Sequence, residues 1–329
     1  MPRSEVHDPR ETPLRVALVI HSLGCGGAEK VAVRLARHLR ETGHDPVLVT
    51  LDDGARDFHE TPAGVERLAL DVASPSRSLL DAVRNNRRLV RALRGALKSI
   101  DPQVALAFMD RTGVRTVLAA RRLGVPVVIA ERSDPRRVDP GPLWRGLQRK
   151  AYAAAATVVA NSAEVADWFR TWLPPERVES IPNAVEIEGA RDSGSGLPSP
   201  PFLLSVGRLT AEKGHADLVR AWAASPRLRD WTLVIAGEGP ERAKLESLAE
   251  AEGVEARFRL PGRVRDPWPL YRAADLFVLP SRREGFPNAL LEAMAAGACC
   301  VATDTGSGAR EIIRDGENGK LVAGPRALR

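Results

Sequence analysis

The chain has 329 residues, 44% of them hydrophobic and 27% charged, which suits two soluble globular domains with a core in each. No uncharged apolar run approaches the roughly 18–20 residues needed to cross a bilayer, and Cys25, Cys299 and Cys300 make neither a metal spacing nor a disulfide framework, so a reducing cytoplasm is expected. The net charge of +6 is uneven: residues 14–185 hold 26 Lys and Arg against 19 Asp and Glu, whereas residues 186–329 hold 20 of each, and the basic half is expected to meet an anionic partner.

Residues 1–13 are polar, without the apolar stretch of a signal peptide. Residues 14–20 read as a buried strand, followed by the turn HSLGCGGAE from His21 to Glu29 and a helix over 28–41. Val31, Leu35, Ala36 and Leu39 share one face of that helix, and Gly43 closes it. Gly26 and Gly27 would let a ligand approach the backbone, and the helix N-terminus would offer it free N–H groups. The spacing is not G-x-G-x-x-G, and a tight turn without a ligand is the alternative.

A strand over 46–51 comes next, then a helix over 79–100. On its wheel Val83, Val90, Leu93, Leu97 and Ile100 lie on one side, while Arg84, Arg87, Arg88, Arg91, Arg94 and Lys98 occupy a sector about 120° wide. No acidic residue falls between Asp81 and Asp101, which favours contact with anionic lipid or a polyprenyl-diphosphate acceptor over a merely solvated face. Strands over 104–108, 125–130, 157–160 and 177–181 alternate with helices over 112–123, 142–155 and 162–172, the pattern of parallel βα units.

Residues 189–201, GARDSGSGLPSPP, read as a linker, dividing an N-terminal domain over 14–188 from a C-terminal domain over 202–329. Strands over 202–206, 232–236, 258–260, 276–279 and 299–302 then alternate with helices over 214–224, 240–252 and 286–296, and Cys299 and Cys300 are expected to be buried in the last strand. Two doubly wound parallel sheets with a cleft between them would bind ligands beyond the carboxyl ends of their strands. The sequence stops at Arg329, shortly after a strand-like NGKLV over 318–322 and with no final helix pair, so the second domain is expected to lack its C-terminal helices.

Two motifs in the second half carry chemistry. In SVGRLTAEKG, from Ser205 to Gly214, a strand end and a glycine precede Arg208 and Lys213, a fork and a point charge suited to a diphosphate; a solvated basic loop is the alternative. In EGFPNALLE, Glu284 lies on a loop and Glu292 two turns inside a helix among Leu290, Leu291, Ala293 and Met294, where a carboxylate needs a donor such as a sugar hydroxyl. The backbone over Gly285, Phe286, Pro287 and Asn288, at the start of that helix, is expected to point its N–H groups outward for phosphate oxygens, although Pro287 has none to give.

Together with Gly24–Glu29, Gly237-Glu238-Gly239 and Pro280-Ser281, these motifs resemble the retaining glycosyltransferases of family 4, over roughly residues 14–323. The resemblance implies the GT-B fold, two facing Rossmann-like domains. SLGCGGAEKV and Glu131-Arg-Ser-Asp-Pro135 look like the branch that builds bacterial surface polysaccharides and lipid-linked oligosaccharides. It implies that Arg208 and Lys213 hold the donor diphosphate, Glu284 the sugar hydroxyls and Glu292 the ribose, and that Pro261-Gly262-Arg263-Val264 lines the nucleobase pocket. Gly26, Gly27, Gly237 and residues 285–288 complete the expected donor site. Where many relatives carry an N-domain histidine, this sequence has Glu131-Arg132 or Asp110-Arg111, and Glu131 joins Glu284 as a catalytic candidate.

No metal or other cofactor is expected. The expected partners are a nucleoside-diphosphate sugar, most simply a UDP-sugar, a glycan or polyprenyl-diphosphate-linked acceptor, and the inner face of an anionic membrane; nucleic acid is not among them. The rivals are a nucleotide-sugar epimerase on the same fold, a nicotinamide dehydrogenase and a truncated chain that only binds nucleotide.

Overall fold

The computed structural model describes residues 12–55, 57–73, 78–137, 141–187, 198–199 and 201–324. They form two compact units, the first ending at Ile181 and the second beginning at Pro182. The expected linker lies almost wholly outside the described residues.

In the first unit β1 (Arg15–Ile20), α1 (Gly27–Glu41), β2 (Asp45–Thr50), β3 (Glu66–Ala69), α2 (Leu79–Ile100) and β4 (Val104–Phe108) are followed by α3 (Asp110–Ala120), β5 (Val127–Glu131), α4 (Pro142–Ala154), β6 (Thr157–Ala160), α5 (Ala163–Arg170) and β7 (Val178–Ser180). All seven strands are parallel, in the order β3-β2-β1-β4-β5-β6-β7. After Arg15, β1 is apolar and buried because it is covered on both sides. Val16, Leu18 and Ile20 join Ala32, Val33 and Ala36 of α1 in one core cluster, while Ala17 and Val19 belong to the other, with Leu93 of α2, Val117 of α3 and, further along the sheet, Phe169 of α5. Ser78 caps α2, its Oγ accepting from Asp81 N at 3.1 Å.

The second unit repeats the scheme with β8 (Phe202–Val206), α6 (His215–Ala223), β9 (Thr232–Ala236), α7 (Arg242–Ala251), β10 (Phe258–Gly262), α8 (Trp268–Ala273), β11 (Leu276–Leu279), α9 (Asn288–Ala295), β12 (Cys300–Thr303), α10 (Ser307–Ile312) and β13 (Lys320–Val322). Its six parallel strands run β10-β9-β8-β11-β12-β13. Leu203 faces Leu218, Val219 and Trp222 of α6, and Phe202 and Leu204 face Tyr271 of α8 and Leu290 of α9. In both sheets the winding reverses beside the first strand, between β1 and β4 and between β8 and β11. Loops diverge there and leave room for a ligand at the carboxyl ends.

The sequence expectations depart from this in identifiable places. β3 is a four-residue edge strand with no buried residue, and α8 and α10 have six residues each, too short for a helical period to register. β5 extends to Glu131, one residue further than expected. Cys300 is buried, with its thiol pushed up to about 12 chiefly by burial, but Cys299 is exposed just before β12 begins. Val83 is 52% exposed and Leu80 83%, so the first turns of α2 lie beyond the core, which begins at Leu89.

Candidate active site

At the β8–β11 reversal, glycines allow three loops to pack backbone against backbone. Gly214, at φ 69°, lies so near Pro280 that a Cβ there would collide with the Pro280 carbonyl oxygen. Gly237 has the same relation to the Gly207 carbonyl, and a side chain on Gly239 would meet the Leu209 backbone. Gly237, expected in the donor site, thus has a packing reason to be glycine. Arg282 ties the β11 loop to the β8 loop, its N–H donating to Glu212 O at 2.8 Å and its guanidinium to Asp217 at 2.6 Å.

These loops bring the expected charges together. Lys213 Nζ lies 2.6 Å from Glu284 Oε1, and Ser281 Oγ donates to the same oxygen at 2.6 Å. Glu284 Oε2 has no partner among the described residues. Arg208 is on the same loop but its side chain is 64% exposed, paired with Glu212 at 3.3 Å. Glu292 is buried inside α9 and accepts from the Tyr271 hydroxyl at 3.1 Å. The donor that its apolar setting demands therefore comes, for one oxygen, from the protein itself. Phe286 and Pro287 are buried, Gly285 half-buried, and Asn288 accepts from the Asn183 amide at 2.5 Å. Gly308 of α10 rests on this loop, since a Cβ there would come 2.7 Å from Phe286 Cα. Arg263 is exposed, Val264 half-buried, and Glu238 pairs with Arg242 at 2.8 Å. Tyr271 and His215 were missed by the sequence reading, and Ser281 was noted only within Pro280-Ser281, with no role given to it. Ser281, three residues before Glu284 at the end of β11, carried a local signal; Tyr271, on a six-residue helix, carried none.

In the first unit the β4 and β5 loops hold a second polar cluster. Met109, at φ 72°, makes the turn from β4 into α3, a conformation that is strained for a side-chain-bearing residue. Asp110 follows, accepting from Trp144 Nε1 at 2.9 Å; burial raises its carboxyl above the usual range, opposed by the Trp144 bond. Glu131 is completely buried. Its Oε1 accepts from Ser133 Oγ at 2.7 Å and from the Arg132 and Ser133 N–H groups at 3.1 Å, and its Oε2 from Tyr152 at 2.8 Å. A carboxylate so enclosed shapes the loop. Burial also lowers the Arg132 guanidinium to about 10, and its Cζ lies 5.9 Å from the Phe108 ring centre. Gly26, the residue before α1, and Gly27, its first, lie on the β1 loop.

The basic face of α2 is modified in one respect. Arg84, Arg87, Arg88, Arg91 and Lys98 are exposed, but Arg94 turns to α3 and donates to Leu118 O at 3.0 Å and Ala119 O at 3.2 Å, satisfying carbonyls of that helix's last turn. The face also extends beyond α2. Arg115 of α3 donates to Asn86 at 2.9 Å, Arg111 lies 5.4 Å over the Trp144 ring of α4, and Leu143 beside it is 89% exposed. Among the described residues no helix is long and apolar enough to cross a membrane, and no three His, Cys, Asp or Glu side chains gather as a metal site.

The family described as Glycosyltransferase Family 4 matches residues 25–188, and Glycosyl transferases group 1 matches residues 191–328. The chain is 30% identical to the GDP-mannose-dependent alpha-mannosyltransferase of Mycobacterium tuberculosis, over 94% of this chain and 84% of that protein. It is 27% identical, with the same coverage, to a Campylobacter jejuni alpha-1,4-N-acetyl-D-galactosaminyltransferase named for a PP-undecaprenol-linked saccharide. HepE of Anabaena, solved with UDP-glucose, matches with a TM-score of 0.77 at 20% identity, over 96% of this chain and 87% of that one. Two doubly wound sheets of this strand order match the GT-B fold, and the family matches make the chain a glycosyltransferase. More particularly, the chain belongs to glycosyltransferase family 4.

Proposed function

We propose that the chain is a retaining glycosyltransferase that moves a hexose or N-acetylhexosamine from a UDP-sugar to a glycan or polyprenyl-diphosphate-linked saccharide, at the cytoplasmic surface of an anionic membrane. The observation that carries this reading is the Lys213–Glu284–Ser281 cluster at the β8–β11 reversal. Lys213 meets the donor diphosphate while Glu284 Oε2 accepts from the sugar hydroxyls. Arg208 joins by leaving Glu212. An exposed ion pair is worth only about 0–1 kcal/mol, against roughly 1.5–3 kcal/mol for a hydrogen bond to a charged group. Glu292, oriented by Tyr271, contacts the ribose, and Arg263 and Val264 flank the base. The relative named for a PP-undecaprenol-linked saccharide supports the choice of acceptor, and the solved UDP-glucose complex that of donor.

In the transfer, the acceptor oxygen bonds to the anomeric carbon on the face from which the diphosphate oxygen departs, and the acceptor proton passes to that oxygen. Lys213 and Arg208 stabilise the departing charge. Glu131, enclosed by Tyr152 and Ser133, positions the Arg132 loop. Calorimetric titration with UDP and UDP-hexoses tests the assignment. Lys213→Ala should weaken both ligands more than tenfold, Glu292→Gln should weaken both, and Glu284→Gln should weaken only the intact sugar nucleotide. Equal losses for both ligands in the two glutamate variants would show the carboxylates misassigned.

A further inference from the structure

His215 opens α6 directly after the β8 loop and is only 3% exposed. Its Nδ1 is buried with no hydrogen-bond partner among the described residues. The other edge of the ring is turned to Gly207, where a Cβ would lie 3.9 Å from His215 Nε2 and 3.7 Å from Lys213 Cδ. The space over Gly207 is thus bordered by one imidazole and one ammonium stem. Burial, and then the neighbouring Lys213 charge, hold the imidazole down to about 4, so the ring is neutral at neutral pH.

A neutral imidazole has a single N–H. Placed on Nδ1, that proton would be an unmet donor in the interior. Placed on Nε2, it leaves a bare lone pair inside and points the donor at the Gly207 turn. We infer that His215 is a donor-binding residue whose Nε2–H donates to a non-bridging oxygen of the diphosphate lying over Gly207, beside Lys213. This rests on reading the β8–β11 site as the diphosphate site. A neutral donor suits that place: it adds a directed hydrogen bond without setting a second cation against Lys213.

The parent and two variants, His215→Leu and His215→Gln, are titrated with UDP, GDP and ADP and with the matching monophosphates. For the diphosphate the parent holds best, His215→Leu should lose about tenfold or more in affinity, and His215→Gln, which keeps an N–H, should recover most of it. The monophosphate should change less than the diphosphate. A His215→Leu protein that binds the diphosphate as the parent does overturns the inference and leaves the proposed function standing; a parent that binds no nucleoside diphosphate removes both. Should His215→Leu fail to fold, nitrogen-15 spectra of the parent's histidines decide. A ring protonated at Nε2 whose signals move on saturation with the diphosphate supports the inference, and signals that stay put overturn it.

Discussion

Each of the chain's two tyrosines donates to a buried glutamate, Tyr152 to Glu131 and Tyr271 to Glu292. Burial, followed by the facing carboxylate's charge, raises both phenols well above their ordinary value, so each remains a donor. Tyr271→Phe would leave Glu292 Oε2 short of that donor, a loss of roughly 1–3 kcal/mol. Denaturant titration should show that loss in the second unit, together with weaker UDP binding; unchanged values for both would mean that another donor takes over. The neutral His215 makes a pH prediction with a definite sign. Its folded value of about 4 lies below the ordinary 6.5, so its contribution is fully present above 6.5 and is lost as pH falls through 4. The full contribution is about 3 kcal/mol. Melting of the parent between pH 7 and 4 should fall more steeply than that of His215→Gln, and parallel curves would refute the assignment. Glu131 runs the other way: burial raises its carboxyl, so its contribution is present below the ordinary carboxylate range and is lost as pH rises through the folded value.

At the scale of elements, the loops at the β8–β11 reversal are held by glycine. Gly214→Ala would put a side chain at φ 69°, a strain on the order of 1–3 kcal/mol, and drive it into the Pro280 carbonyl as well. The β8 and β11 loops should part, so this single methyl should lower both the melting temperature of the second unit and the affinity for UDP. Full retention of both would show that the loops need no close contact. The same scale explains what could be read from the sequence. The strands over 104–108, 157–160, 202–206, 232–236 and 276–279 were read at their observed bounds, because strands buried on both sides are nearly continuously apolar, broken here only by Thr157, Ser205 and Thr232. Lys213 and Glu284 were legible as charges at strand ends, but their meeting depends on the close approach of Gly214 to Pro280, a relation between residues 66 apart. His215 was not legible, because its role follows from burial and from the neighbouring bare glycine. Edge strand β3 and helices α8 and α10 were too short to show a period.

At the scale of the whole molecule, the two units share a strand order but not a charge: the surplus lies in the first. There the N-terminal turns of α2, α3 and α4 are joined by the Arg115–Asn86 and Arg111–Trp144 contacts, and they present Leu80, Val83 and Leu143 among exposed arginines. Exposed leucines beside arginines are what an anionic lipid surface would receive, the cations contributing about 1 kcal/mol each near an anionic leaflet. The like charges repel one another in solution, and salt screens both effects over a Debye length of about 8–10 Å. Arg94 is held by α3 and contributes little. Replacing Arg84, Arg88 and Arg91 with Ser should therefore reduce sedimentation with phosphatidylglycerol vesicles at low salt and slow transfer to a lipid-linked acceptor, leaving UDP affinity unchanged. Replacing Leu80 and Val83 with Ser should weaken the part of vesicle binding that survives added salt. If the parent does not sediment with such vesicles at low salt, the face is solvated and the membrane assignment fails.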